Sequence, residues 1–324
     1  MNIFIYDYTF EGLLTCIFDA YFRKTFPDLL LKEGEPLPLF YDETFHVSTD
    51  ERKAMRVWRG LEKKISHHAL SALTYCWLSE LPEVDKRLFR YIRKAIDSPR
   101  SIETNFADAD VLELSKIYKK VDGERVHLMQ FVRFQKAADG TFFAAVEPQF
   151  NALPLAVEHF KDRFADQPWL IYDVKRQYGY YYDLKEMKEV TFENPQQAHL
   201  VTGMLNESLM ANDEKLFRQL WKTYFKAICI KERWNPRKHR QDMPVRYWKY
   251  LTEKHNLSLQ DKQFFRISHI DQNRACPGTE LTGTASILFF YNLPETVYRE
   301  FTTAHFYQCT YHRPCTIFLK KRSA

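Results

Sequence analysis

A chain of 324 residues is long enough for one large domain or two ordinary ones. With 45% hydrophobic and 27% charged residues it can bury a sizeable core, which excludes an intrinsically disordered chain. Its formal net charge of +5 is milder than that of a dedicated DNA-binding domain, so an anionic partner would have to be met by local patches rather than by total charge.

Met1 leads directly into the alternating apolar run Ile3-Phe4-Ile5-Tyr6, with no basic n-region, no signal-type apolar segment and no run able to span a bilayer. The six cysteines include no CxxC pair. Together these features lead us to expect a cytoplasmic protein with reduced thiols and no membrane partner. The phosphate-cradling loops GxxxxGK[ST] and GxGxxG are missing.

In chain order, residues 3–7 read as a short strand that could join a central sheet. Phe10 to Arg23 reads as a helix, with Leu13, Leu14, Ile17, Phe18 and Tyr21 at helical spacing and Cys16 in its core. Turn-forming residues follow Pro27, then a strand from Glu43 to Val47. Ser48-Thr49-Asp50 supplies an N-cap for a helix to about Ile65. On that helix Arg52, Arg56, Arg59 and Lys63 recur at i, i+4, i+7, i+11 and share one face. Glu83 to Asp97 repeats the arrangement, with Lys86, Arg90, Arg93 and Lys94 opposite a stripe of Val84, Leu88, Ile92 and Ala95. Two cationic helix faces together suggest a shared basic surface, although a charged face is more often simply solvated.

Residues 108–121 read as a helix ending near Asp122-Gly123. Alternation over Val126 to Gln135 and Thr141 to Val146 then predicts a hairpin turning through Ala137-Ala138-Asp139-Gly140. Asn151 and Pro154 predict another helix start, with Leu153, Val157, Phe160 and Phe164 inward. A second hairpin pairs Trp169–Val174 with Tyr178–Leu184 across Lys175-Arg176-Gln177, and a further strand runs to Phe192. The stretch from His127 to Asp183 holds 13 aromatics in 57 positions, interleaved with Arg133, Arg163, Lys175 and Arg176. Such rings can stack on nucleobases while guanidinium groups take phosphate, or they can simply fill a core.

From Asn194 to Lys254 the pattern returns to helix, with Phe217, Leu220, Trp221, Tyr224 and Phe225 recurring and Cys229 beside them in a core role. Between Lys226 and Lys254 nine Lys or Arg face three Asp or Glu, a local excess of +6, with Trp234, Tyr247 and Trp248 among them. Pro236 and Pro244 predict a loop-like arm here, electrostatically suited to a phosphate backbone. His305, Cys309, His312 and Cys315 are too tightly spaced for an ordinary zinc site, so no metal is expected.

Several of these segments, YDYTFEGLLTCIFDAY at 6–21, RVWRGLEKKI at 56–65, LFRYIRKA at 88–95, the run from 131 to 183 and ERWNPRKHRQDMPVRYWKYLTE at 232–253, resemble one family. It is the bacterial "probable DNA metabolism protein" family, a domain of unknown function. Its members accompany a DNA modification or repair radical-SAM protein, and the same domain occurs fused to uracil-DNA-glycosylase-like domains. The resemblance covers residues 1–255 and implies a DNA repair or modification setting. It brings no catalytic residues with it.

The expected architecture is α+β, a small antiparallel sheet of hairpins flanked by helices over residues 1–255, with residues 256–324 as an extension outside the resemblance. The chain has no radical-SAM CxxxCxxC, so that cofactor would belong to a partner, and no cofactor of its own is expected. No GQDPYH-type, deaminase HxE…PCxxC or nucleophile-elbow motif stands out. The function expected is that of a DNA-binding accessory protein; the alternative is an enzyme acting on a base or backbone through the central aromatic pocket. Expected nucleic-acid contacts are Arg56, Arg59, Arg90, Arg93, Arg133, Arg163, Trp169, Arg176, Arg233, Arg237, Arg246 and Trp248, and the only acid/base candidates are His159 and Asp173. Within the pocket, Asp173 could instead pair with Arg163 or Arg176 and lock the hairpin to the helix.

Deleting residues 260–324 is expected to leave a folded, soluble protein with a cooperative thermal transition. Aggregation of the truncated protein would contradict the division at about residue 255.

Overall fold

The computed structural model describes residues 1–192, 202–227 and 235–254. Within them the chain is α+β, with two sheets and two main cores. The first sheet has three parallel strands, with β1 (Asn2–Tyr6) lying between β2 (Leu29–Lys32) and β3 (Glu43–Val47). The N-terminal strand therefore builds its own sheet instead of joining the hairpins. β2, in a stretch where only turn residues are apparent, becomes a strand because Leu30 can pack into the first core.

Helix α1 (Phe10–Arg23) follows β1, its Thr9 side chain accepting a hydrogen bond from the Gly12 amide. A Cβ at Gly12 would push aside the Asp7 carboxylate, which is bonded to the Thr9 and Thr49 hydroxyls. Helix α2 (Glu51–Glu62) starts on Asp50 and packs alongside α1, tied to it by a Lys53–Asp19 ion pair of 2.8 Å. Helices α3 (His67–Trp77), α4 (Val84–Asp97) and the first half of α5 (Ala109–Phe131) complete the first core. Cys16 and Cys76 are buried in it as free thiols, and burial pushes the Cys76 thiol up to about 12.

Helix α5 does not stop near Gly123. It continues through residues expected to be strand, and only Gln135–Lys136 (β4) remains of that strand. The buried positions Leu114, Ile117, Val121, Glu124, Leu128 and Phe131 explain this, being one helical stripe spaced three and four apart. A carboxylate in the stripe and a glycine beside it disguise the period.

The second sheet has five strands in chain order: β4, β5 (Phe142–Val146), β6 (Trp169–Asp173), β7 (Tyr178–Tyr182) and β8 (Met187–Val190). Both expected hairpins form, and Gly140 at φ +86° allows the first turn. Between them β5 and β6 are parallel, joined by the crossover helix α6 (Leu153–Arg163), so the sheet is mostly, not wholly, antiparallel. Asn151 does not cap α6; its side chain accepts a hydrogen bond from Tyr178 instead.

The second core lies between this sheet, α6 and the end of α5, and Trp169 is its largest fully buried side chain. Further on, α7 (Glu214–Ala227) is helical as expected, yet Leu216, Phe217, Leu220, Trp221 and Tyr224 are exposed at 39–58%. Pro236 starts a helix rather than breaking one. It occupies the first turn of α8 (Pro236–Asp242), where no amide is needed, and the Asn235 side chain caps the Lys238 amide. Two 3-10 turns, Val245–Tyr250 and Thr252–Lys254, then hold the arm against the second core through Tyr247 and Leu251.

Trp169→Ala is expected to cost about 3–5 kcal/mol, as truncation of a fully buried large aromatic does. Urea denaturation measures this, and a change below about 1 kcal/mol would mean that the ring is not a core element.

Candidate nucleic-acid interface

Five of the twelve expected contacts, Arg90, Arg93, Arg133, Arg176 and Arg246, meet a carboxylate of the protein itself. On α4, Arg90 grips Asp110 through two nitrogens at 2.7 and 3.0 Å, while Lys94 reaches Asp108 at 2.6 Å and Asp110 at 3.0 Å. Arg93 lies 3.7 Å from Asp97 and sits over the Phe26 ring at 3.7 Å. The second basic helix face is thus cancelled by the acidic start of α5. Of the expected phosphate contacts on this helix, Arg90 is held to Asp110 by charge-assisted hydrogen bonds, whereas Arg93 faces Asp97 only at ion-pair distance.

Arg133, His159, Arg163, Trp169, Asp173 and Arg176, the polar and aromatic residues of the expected central pocket, do not converge on one site. Trp169 is fully buried, so its face cannot take a base. Arg133 reaches the buried Glu253 at 3.0 Å. Arg176 spans Asp173 at 2.9 Å and Glu80 at 2.7 Å and adds bonds to the Pro148 and Gln149 carbonyls. The structural pairing of Asp173 with Arg176 therefore forms, while Arg163 stays exposed, 5.8 Å from the Phe164 ring. Asp173 also accepts the Lys175 and Arg176 amides, at 2.9 and 3.2 Å. Burial raises its carboxyl above the ordinary value against the pull of Arg176. His159 is lowered by burial and by Arg163 and Arg125, with Asp162 acting weakly the other way. These two side chains make no hydrogen bond or ion pair with each other, so the acid/base reading of His159 and Asp173 is corrected: each answers to other neighbours.

The C-terminal arm contributes differently. Arg246 and Lys249 join Lys175, Glu147, Pro148, Gln149 and Val245 around an open cleft of about 470 Å³. Arg246 leans on Glu124, Lys249 on Glu147, and the Lys175 ammonium donates to the Gln149 carbonyl at 3.1 Å. Beneath the cleft Glu124 is nearly sealed, with a side-chain exposure of 2%. Burial pushes its carboxyl up. The adjacent His127 ring, the Gln149 amide at 2.6 Å, Tyr247 and Arg246 outweigh that and hold it at about 2. Of these, the Gln149 amide and Arg246 donate true hydrogen bonds, while His127 Nδ1 stands 3.9 Å away, beyond hydrogen-bond reach. The cleft therefore combines three cations with two carboxylates, and its surplus charge is small.

Trp248 is half-buried, its indole donating to the Met243 carbonyl at 3.0 Å, so it braces the arm. Arg237 is exposed on α8. Arg233, Trp234, Cys229 and the four residues weighed as a zinc set lie outside the described residues. Among the described residues no group of His, Cys, Asp or Glu could hold a metal ion, and no helix is long and apolar enough to cross a membrane.

The α2 face survives as a surface. Arg52, Arg56, Arg59 and Lys63 are all exposed, and the inward positions are Ala54, Val57 and Leu61. None of the four has an ion-pair partner among the described residues. From Arg52 to Lys63 the row covers eleven residue steps, about 16 Å of helix at ~1.5 Å per residue. Arg56 also sits 5.6 Å from the Phe18 ring of α1. Helical spacing alone makes this row legible in the sequence. Glu124, Glu147 and Lys249 are not legible there, because they lie far apart in the chain and meet only in the folded cleft.

These features describe an α+β protein with a cationic helix face on α2 that no acid among the described residues pairs. Residues 82–253, more than half of the chain, match the DUF4130 model, a domain of unknown function, and the chain belongs to that family. Helices α1 and α2 precede the matched segment. No curated protein matches the chain. One solved structure similar to it is the pGpG-specific phosphodiesterase PggH from Vibrio cholerae, at 10% identity over 70% of this chain and 98% of that one. Its TM-score of 0.34 is too low to carry a functional argument.

Glu124 ionises more readily folded than unfolded, so its stabilisation is complete above the ordinary carboxyl range and is lost as pH falls towards about 2. Glu124→Gln is expected to remove that part of the acid dependence and to cost about 1–3 kcal/mol at neutral pH. Denaturant titrations at several pH values check both.

Proposed function

We propose that the protein is a DNA-binding accessory protein in DNA repair or modification, acting beside a radical-SAM enzyme that carries the iron–sulfur chemistry. The observation that carries this reading is the α2 row of Arg52, Arg56, Arg59 and Lys63, four exposed cations aligned over about 16 Å with no acid of the described chain against them. Such a row exchanges condensed counterions of a phosphate backbone for protein charge. The resemblance to proteins that accompany a DNA modification or repair radical-SAM enzyme, and to domains fused to uracil-DNA-glycosylase-like domains, supplies the setting. An enzymatic reading has less to stand on, because Trp169 is sealed and His159 and Asp173 answer to separate neighbours.

DNA affinity is expected to fall steeply with salt. Replacing Arg52, Arg56 and Arg59 together by Glu should flatten the log–log salt slope by roughly 0.9 for each phosphate no longer neutralised, and should weaken binding at every sequence alike. Anisotropy titrations at two salt concentrations, with and without the radical-SAM protein, read this directly. Salt-independent binding, or a triple variant that binds like wild type, would remove the proposal.

A further inference from the structure

Phe22, at the C-terminal end of α1, is 78% exposed. One turn back, Phe18 lies nearly parallel to it, with ring centroids 6.4 Å apart and an angle of 12° between the planes. Phe18 is in turn flanked by Arg56 at 5.6 Å and Lys53 at 5.7 Å, both from α2. Arg23 and Lys24, the next two residues, are exposed as well, and Arg23 sits 4.9 Å from the Phe45 ring. An exposed aromatic ring therefore stacks on one that lies beside Arg56, the second residue of the cationic row. Nothing in the local packing requires this, because Ile17, Ala20 and Leu13 already fill the buried side of α1.

A phosphate backbone alone would use the arginines and leave the ring idle. A duplex keeps its base faces inside its own stack. A single strand offers both groups at once: phosphates for the row and an unstacked base for the ring. We propose that the α1–α2 face is a single-strand binding platform, in which Phe22, backed by Phe18, stacks on a base while Arg52, Arg56, Arg59 and Lys63 follow the backbone. This rests on the DNA-binding reading above and adds to it the form of nucleic acid and the place where a base is held.

The test compares wild type with Phe22→Ala and Phe22→Trp in the full-length chain, using a labelled oligothymidine and a mixed-sequence duplex of equal length. Phe22→Ala should weaken single-strand binding about 5- to 150-fold, the loss expected for one stacked base, and leave duplex binding and the melting temperature unchanged. Phe22→Trp should retain affinity, with indole emission quenched by the oligothymidine. If Phe22→Ala binds oligothymidine like wild type, the ring serves something else, such as a protein partner, and the platform is overturned while DNA binding through the arginines stands. Equal losses on single strand and duplex would also overturn it. If wild type binds neither oligonucleotide, both proposals fall together.

Discussion

The fold turns on a carboxylate in the middle of a helix. Glu124 stands on the buried stripe of α5 between Val121, which belongs to the first core, and Leu128, which belongs to the second. Without a partner, a charge at that position would break the helix's apolar face and separate the cores. Two hydrogen bonds prevent this: the Gln149 amide from the loop after β5, and Arg246 from the arm. The cost of burying the charge is thereby converted into a cross-link between segments distant in sequence. Arg133 and Glu253 repeat the device a little further along, drawing the end of the arm to the end of α5.

The same logic separates structural from available cations. A guanidinium beside a buried carboxylate is committed, because pulling it away leaves an unpaired charge in a poorly solvated site. Arg90, Arg133 and Arg176 are committed in this sense. The α2 row is not, since its side chains project from a helix whose opposite face alone is buried. Positive charge in the sequence therefore overstates the positive surface of the folded protein, and the arm with its local excess of +6 is the clearest case: its Arg246 and Lys249 face Glu124 and Glu147.

Aromatic content misleads in a related way. The ring-rich stretch from 127 to 183 resembles a stacking surface, yet Trp169 and Phe160 are buried and pack on each other and on Phe134, Phe164 and Tyr182, while Tyr172 is buried in a separate cluster against Phe192. Offset and edge-on ring pairs of this sort are an economical way to fill a core between a sheet and a helix. Rings left in the open lie outside that stretch, among them Phe22 on α1, Phe40, Phe106 and Phe217.

What the sequence determined by itself is whatever depends on neighbours along the chain. The cap at Asp50, the stripe of α4, both hairpins and the row on α2 follow from spacing and turn chemistry, and all are present. The tertiary structure decided what depends on partners far away in sequence. The extension of α5 past Gly123 needed Arg246 to neutralise Glu124, and the separate parallel sheet needed β2 and β3 to meet β1. The loss of Arg90 as a free cation needed Asp110 to arrive beside it. Local periodicity encodes which face of an element is apolar; only folding brings up the opposite charge or second ring that settles whether a polar group is spent inside the protein or left for a partner.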